Sequence, residues 1–187
     1  MPKRSFAENF FPTGDDRLFI DTNIWLKLHG PSPFEDKKFR VYSKLLGRAL
    51  DKNVRAKLGT SLSVISEFIN RFCRDDWKSN YFSDFPDYKI FRASAEFAMT
   101  AKTAVIAARG ILACSNVISF EDGSETASRA GIEACLDAFL SGKIDFNDAA
   151  IVEACRKHDY TLVTDDGDFV DVDIPVVSAN SKFFFQK

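Results

Sequence analysis

The chain has 187 residues, of which 45% are apolar, and a formal net charge of −2. This length suffices for one α/β domain with a proper core and is too short for two, so a single domain over residues 1–187 is expected. The near-neutral charge excludes a global basic field of the kind that draws a protein to nucleic acid, but it says nothing about local patches.

The sequence also carries information about the compartment. Residues 1–16 lack the apolar core of a signal peptide, and no run approaches the roughly 18 apolar residues that a membrane helix needs. The cysteines lie far apart without a CxxC pair, which argues against a zinc site and is typical of buried thiols in a reducing compartment. We therefore expect a cytoplasmic protein that has no membrane partner.

The first clear elements surround an aspartate in LFIDTNIWLKL, residues 18–28. Residues 18–20 predict a short buried strand, and the apolar positions of residues 24–28 recur at helical spacing. Asp21 then stands at the carboxyl end of a strand, where open parallel sheets bind their ligands. The simpler alternative is that Asp21 or Thr22 only caps the helix.

The next elements continue the alternation of helix and strand. Residues 39–50 keep helical spacing, and residues 55–60 predict a second strand. Ser61 or Ser63 is expected to cap the following helix, which carries Glu67 in its first turns. Strands alternating with helices predict an α/β fold in which a parallel sheet has helices on both faces.

The middle segment, residues 75–141, is less recognisable and predominantly helical in its composition. The elements predicted in it are a loop or short insert at residues 75–88, an alanine-rich helix at 91–112 broken near Gly110, a strand at 117–120 and a helix at 125–140. These extra residues are candidates for shaping a substrate channel or a partner surface.

The last third ends in a conspicuous acidic run. Asn147 or Asp148 opens a helix, and residues 161–164 predict a strand that stops at the acids of residues 165–168. Residues 175–177 are expected to form an edge strand, because proline cannot donate to a central ladder.

Four acids occupy strand ends and helix starts, and all four are expected at one edge of the sheet: Asp21, Glu67, Asp148 and Asp166. Converging carboxylates repel one another and raise their pKa values unless a cation relieves the repulsion. Oxygen ligands without thiolates and with few histidines favour Mg²⁺ or Mn²⁺ over zinc. In the alternative interpretation each acid is a cap or a solvated turn residue, as a first-turn acid such as Asp148 would favour the helix dipole.

Four short motifs occur in this order: IDTNIWL around Asp21, SLSVISEFINR around Glu67, DFNDAAIVEAC around Asp148, and TLVTDDGDF at residues 161–169. Together they resemble the PIN-domain ribonucleases, most closely the VapC-like toxin group. The resemblance implies a three-layer α/β/α sandwich with a central parallel sheet, and metal-dependent cleavage of RNA.

The resemblance also implies roles for individual residues. By matched position, the four acids would bind the metal and be the catalytic residues. Asp165 and Asp168 compete with Asp166 for the last role, although the usual family ending, in which a second acid and a phenylalanine follow, aligns best with Asp166. Thr22 and Asn23 match the polar pair that follows the first acid.

Further expectations concern the surroundings of the acids. Asn23 is expected to orient Asp21 or the substrate, and Asp145 either supports the metal ligands or is simply exposed. Lys27, Arg71 and Arg74 are candidates for contacts with an anionic strand, though each is also a common kind of surface charge.

The function implied is that of a ribonuclease in which one or two Mg²⁺ or Mn²⁺ ions activate water for in-line attack on RNA. The implied partners are an antitoxin protein and a second copy of the chain in a homodimer, since the aromatic content can leave apolar patches exposed. The alternative is a PIN-like module that binds RNA or protein without cleaving it. A phosphatase with an aspartyl nucleophile is disfavoured, because Asn23 stands where such enzymes place a second aspartate.

Overall fold

The structure is a computed structural model that describes residues 3–31, 37–120 and 125–184, without the side chains of residues 125–127. Its strands are β1 (Arg4–Phe6), β2 (Arg17–Ile20), β3 (Lys57–Thr60), β4 (Ser115–Val117), β5 (Thr161–Val163) and β6 (Val176–Ser178). Its α-helices are α1 (Thr22–His29), α2 (Lys37–Ala49), α3 (Leu62–Asp76), α4 (Tyr88–Arg92), α5 (Phe97–Cys114), α6 (Glu125–Leu140) and α7 (Phe146–His158).

The six described strands form one sheet in the order β1-β6-β5-β2-β3-β4, and every pairing is parallel. The chain moves from β2 outward to β3 and β4, then returns to β5 on the other side of β2. The direction of winding therefore reverses between β2 and β5. Such a switch point opens a crevice at the carboxyl ends of the two strands, where α/β proteins bind ligands.

The core lies on both faces of the sheet, as expected of an α/β/α sandwich. Residues 18–20 of β2 are fully buried and form the centre of the apolar cluster. Helix α1 contacts both α2 and α3, and α3 contacts α5, whereas α6 packs with α7. Right-handed crossovers place these two groups on opposite faces once the winding reverses. The predicted fold class is confirmed.

Two predictions for the middle segment are wrong. The segment at residues 75–88 is not a loop throughout, because α3 runs to Asp76 and continues directly into a π-helix at Trp77–Tyr81. Helix α5 passes through Gly110 without a break, since a single glycine weakens a helix but keeps its own backbone hydrogen bond. The predicted helix at residues 125–140 matches α6.

The edges of the sheet also differ from prediction. Strand β4 ends at Val117, where the predicted strand was to begin, and β6 is an inner strand between β1 and β5. Pro175 precedes the first residue of β6, and its carbonyl accepts from Leu162 while its missing N–H is not needed by the ladder. On this side of the described sheet the edge strand is β1, where Arg4 donates to the backbone carbonyls of Val172 and Ile174.

By length and composition alone, α5 is apolar enough to cross a membrane, with a mean hydropathy of 1.4 over 18 residues. The expectation that no segment approaches this composition is wrong for α5. Thr100, Ala104 and Ala108 are nevertheless buried on the face that packs against α3. Core helices of soluble proteins have the same composition, so α5 is weak evidence for a membrane.

Candidate functional site

Asp21 leaves the end of β2 and opens α1. Its Oδ1 accepts the backbone N–H of Thr22 at 2.6 Å, so the predicted helix cap exists. Its Oδ2 accepts the side-chain amide of Asn23 and the hydroxyl of Thr164, each at 2.6 Å. The side chain is only 5% exposed. A cap alone does not require this burial or three donors, because most helix caps stand in water.

The position raises the pKa of Asp21 to about 6, mainly because burial disfavours the charged carboxylate. The hydrogen bonds from Thr164 and Thr22 act in the opposite direction and lower it. The negative charges of Glu67 and Asp166 raise it further. Three of the four predicted acids therefore interact electrostatically.

Glu67 reaches the same region from α3. Its Oε2 accepts the hydroxyl of Thr22 at 3.0 Å, and its Oε1 lies 3.2 Å from the guanidinium of Arg71, one helical turn later. The side chain is 45% exposed. Thr22 thus connects Glu67 to the start of α1, while Glu67 remains open to solvent and to a ligand.

Asp148 lies half-buried in the first turn of α7. Burial and the charge of Asp145 raise its pKa to about 8, with smaller contributions from Asp21, Asp166 and Glu67. The helix begins at Phe146, with Asp145 as its N-cap, so the prediction that residue 147 or 148 opens it is wrong by one or two positions. Asp145 is exposed, and its Oδ1 accepts the backbone N–H of Asp148 at 2.8 Å.

The three acids that follow β5 point to different surroundings. Asp165 lies 3.0 Å from Lys38, 3.8 Å from Lys27 and 3.1 Å from the hydroxyl of Tyr42, so its charge is already compensated. Asp168 lines a separate cavity between α6, α7 and the loop after β5. Asp166 is exposed and interacts electrostatically with Asp21 and Asp148. These contacts favour Asp166 as the fourth acid.

Thr164 is a site residue that the sequence did not reveal. It is fully buried, its hydroxyl donates to Asp21, and the same oxygen accepts the backbone N–H of Asp166 at 3.0 Å. Asn23 completes this link, since its side-chain carbonyl accepts the N–H of Asp165 at 3.2 Å. The only signal in the sequence was a polar residue at the end of a predicted buried strand.

A cavity of about 390 Å³ opens beside the acids and is lined by Asn23, Leu26, Lys27, Arg71, Asp165, Asp166 and Gly167. As they stand, no three His, Cys, Asp or Glu side chains in the described part of the chain lie close enough together to hold a metal ion. The donors nevertheless fit a hard divalent cation, because the four acids are oxygen ligands. A bound cation would also favour the charged carboxylates against burial and mutual repulsion, which in that order raise the pKa values of Asp21 and Asp148.

The fold and the site define a class of α/β/α proteins with an acidic cluster at the carboxyl edge of a parallel sheet. The family model of the PIN domain matches residues 18–175. The chain therefore belongs to the PIN domain family, whose members are generally nucleases. Its sequence matches no curated protein at a significant level.

Two solved structures contain chains with a similar fold. One is the complex of VapBC2 from Rickettsia felis with a DNA fragment from its promoter, with a TM-score of 0.53 and 16% identity, covering 87% of this chain and 98% of that one. The other is FitAB bound to the IR36 DNA fragment, with a TM-score of 0.50 and 16% identity, covering 91% and 98%. At this identity the likeness concerns the fold.

Proposed function

We propose that this protein is a ribonuclease that hydrolyses RNA phosphodiester bonds with Mg²⁺ or Mn²⁺ held by the four acids. The observation that carries the proposal is the electrostatic interaction of Asp148 with Asp21, Glu67 and Asp166, acids contributed by separate elements of the fold. Like charges that a fold collects at the switch point of its sheet favour a cationic ligand there. Membership of the PIN domain family supports a nuclease.

Each acid has a defined part in this proposal. Asp21 is held in place by its three donors, so its carboxylate needs little reordering to bind a cation. Glu67 and Asp166 are exposed and free to approach a cation, while Asp145 holds the backbone of Asp148. When bound, the metal supplies an activated water and stabilises charge on the phosphate and the leaving oxygen.

The cationic wall of the cavity supports an anionic substrate. Lys27 and Arg71 line the same cavity as Asp166, and Lys38 joins Lys27 at Asp165. A phosphate that enters the cavity therefore meets positive charge from Lys27 and Arg71 beside the acids. These contacts explain how a protein with a net charge of −2 would hold RNA.

The proposal is tested by incubating the purified protein with total cellular RNA and with a labelled 20-nucleotide RNA of random sequence. Cleavage is expected with Mg²⁺ or Mn²⁺ and none in EDTA. Asp148→Asn should abolish cleavage, whereas Asp173→Asn, an acid paired with Arg156 away from the four acids, should not. RNA binding without cleavage in either metal would instead establish the non-cleaving binding module.

We also propose that the protein is the toxin of a toxin–antitoxin pair in the cytoplasm. The resemblance to VapC-like toxins and the shared fold with chains of the VapBC2 and FitAB complexes support this. Expression should arrest growth, and co-expression of a small protein encoded beside it should restore growth and co-purify with it. Growth unaffected by an active nuclease would contradict the toxin role.

The proposed homodimer is supported by a row of exposed apolar residues on α6 at helical spacing: Ile132, Leu136, Phe139 and Leu140. Such a row favours contact with another protein surface. Analytical ultracentrifugation should show a dimer that Leu136→Lys weakens. A parent protein that sediments as a monomer over the micromolar range would contradict the dimer.

A further inference from the structure

Helix α3 carries a row of charged side chains that starts at the acids and leads away from them. Glu67, Arg71, Arg74 and Lys78 follow one another at intervals of four, three and four residues, which places them on one face of the helix. The π-helix continues α3 without interruption, so the row is unbroken through Lys78. At 1.5 Å per residue, it spans about 16 Å.

The positive charges of this row are exposed, although Arg71 forms an ion pair with Glu67 over 3.2 Å. Arg71 lines the cavity beside Asp166, and Arg74 and Lys78 are exposed. Within the described residues, neither Arg74 nor Lys78 forms an ion pair. Arg156, by comparison, is held by both Glu153 and Asp173.

Aromatic side chains meet the far end of the row. The guanidinium of Arg74 lies 4.8 Å from the centre of the Tyr88 ring. Trp77 contacts Tyr88 at 5.3 Å and Phe82 at 5.4 Å between ring centres. Phe82 is the next residue on the same face, four positions after Lys78, and is 54% exposed. An exposed ring beside cations offers a stacking surface for a base.

The nearby acids are engaged elsewhere or lie off this face. Asp76 accepts from the hydroxyl of Thr100 and the side-chain amide of Asn80, which turns it toward α5. Asp87 caps α4 by accepting the backbone N–H of Lys89. Asp75 follows Arg74 and is therefore about 100° around the helix from it. The row itself carries positive charge from Arg71 to Lys78.

We propose that this face of α3 and the π-helix is an extended binding site for single-stranded RNA, with phosphates on Arg71, Arg74 and Lys78 and a base stacked on Phe82. The inference rests on the proposed function, because the RNA bound along α3 is the same substrate that enters the cavity beside Asp166. Cations alternating with aromatic rings suit a nucleic acid better than an acidic peptide, which has no base to stack. Residues 75–88, predicted from the sequence as a loop or short insert, would then make the protein bind longer RNAs more tightly than short ones.

The test measures binding rather than cleavage, in EDTA, using fluorescently labelled oligo-uridine of 20 and of 4 nucleotides. Arg74→Gln combined with Lys78→Gln should weaken binding of the longer RNA about tenfold and reduce the slope of log affinity against log salt by about 1.4, at about 0.7 per lost phosphate contact. Phe82→Ala should weaken it about tenfold through lost stacking. The 4-nucleotide RNA should be affected much less.

The matched control is Lys52→Gln combined with Arg129→Gln, which removes two exposed charges from other elements. It should leave both affinities and the salt slope unchanged, and thermal unfolding verifies that every variant folds. An unchanged affinity or slope for the α3 variant would overturn the inference, as would a parent that binds neither RNA. So would equal affinity for poly-glutamate of matched charge, which would indicate an acidic protein partner.

The two proposals fail separately. In one outcome, the protein cleaves RNA in Mg²⁺ while substitutions of Arg74, Lys78 and Phe82 leave its RNA affinity unchanged. That result would contradict the extended site and support the ribonuclease. In the converse outcome, these residues are required for binding the longer RNA while no metal supports cleavage. That result would contradict the ribonuclease and support the extended binding site.

Discussion

Thr164, at the end of β5, donates its hydroxyl hydrogen to the carboxylate of Asp21, at the end of the neighbouring β2, over 2.6 Å. The same oxygen accepts the backbone N–H of Asp166 at 3.0 Å. One buried hydroxyl therefore fixes the relative positions of two acids that the chain places far apart. Asn23 provides the second side-chain link between the two strand ends, since its carbonyl accepts the N–H of Asp165.

We predict that Thr164→Val lowers metal affinity about 10- to 100-fold, as expected when a group that orients a ligand is lost. Valine has nearly the shape of threonine but cannot donate to Asp21 or accept from Asp166. The pKa of Asp21 should rise above about 6, because the Thr164 hydrogen bond lowers it in the parent. Calorimetric titration with Mn²⁺ and the pH dependence of cleavage check both changes.

Thr60→Val is the matched control for this substitution. Thr60 ends β3 and is equally buried, but its hydroxyl has no hydrogen-bond partner among the described residues. Replacing an unsatisfied hydroxyl with a methyl group should leave the free energy of unfolding unchanged or raise it by about 1 kcal/mol. Thr164→Val should lower it by about 1–2 kcal/mol. Equal effects of the two substitutions on Mn²⁺ affinity would contradict the role of Thr164.

Asp21→Asn should reduce RNA cleavage by orders of magnitude with little change in stability. The substitution removes the negative charge of a metal ligand. The new amide group also faces a donor whose hydrogen bond the carboxylate accepts in the parent, so that hydrogen bond is lost. The lost hydrogen bond is offset in the free energy of unfolding, because a neutral asparagine avoids the cost of burying a carboxylate near other acids. Urea unfolding in EDTA and cleavage assays in Mg²⁺ separate the effects. Cleavage at the parent rate would show that Asp21 is only a helix cap.

The stability of the metal-free protein should fall as the pH rises from about 4 to about 8. The folded state binds protons more tightly than the unfolded chain in this range, because the pKa values of Asp21 and Asp148 are raised to about 6 and about 8. Folding is therefore favoured at low pH, and this contribution is lost as each acid ionises. Urea unfolding at several pH values in EDTA measures it.

Metal affinity should have the opposite pH dependence and increase as the pH rises. Mg²⁺ or Mn²⁺ binds the ionised acids, so affinity should increase up to about pH 8, and binding at pH 7 should release nearly one proton from Asp148. Calorimetry in two buffers of different ionisation enthalpy counts that proton. Asp148→Asn should remove it. A release unchanged by this substitution would assign the titration to another group.

The acids after β5 should differ in their effects. Asp166→Asn should lower cleavage about tenfold or more, since Asp166 interacts with Asp21 and Asp148. Asp168→Asn should retain close to the parent rate, because its side chain lines a different cavity. Both variants keep the residue size and the turn, so initial rates in Mg²⁺ compare them directly. The reverse order of activity would assign the fourth acid to Asp168.

Two glycines should respond oppositely to alanine. Gly110 lies on the exposed face of α5 and a Cβ there meets nothing within 4 Å, so Gly110→Ala should stabilise the protein by about 0.5–1 kcal/mol. A Cβ at Gly59 would lie 2.6 Å from the buried ring of Tyr160, so Gly59→Ala should destabilise it by about 1–3 kcal/mol. Thermal unfolding measures both. A destabilising Gly110→Ala would mean that α5 needs the glycine.

The sequence predicted the features that depend on local pattern. The apolar run at residues 18–20, broken by Asp21, located β2 and its carboxyl end, and helical spacing located Glu67 on α3 and Asp148 on α7. The parallel sheet followed from the alternation of strands and helices. These predictions needed only the spacing of apolar residues and the position of an acid relative to them.

Features that depend on contacts between distant residues could not be predicted. The edge strand β1 has only three residues and is recognisable by its pairing with β6, far along the chain. Thr164 carries no charge, and its role depends on Asp21 lying opposite. Asp165 differs from Asp166 because Lys38 and Tyr42 donate to it, and no local sequence pattern connects those two residues to the acids.

The central position of β2 between β3 and β5 has a consequence for biosynthesis. A ribosome that has made the first 140 residues has produced Asp21 and Glu67, but neither Asp148 nor Asp166. The sheet around β2 closes only after β5 emerges, and pairings this distant in sequence form slowly. Prematurely terminated products would therefore lack two of the four acids. For the ribonuclease proposed here, cleavage would therefore require a chain that extends beyond Asp166.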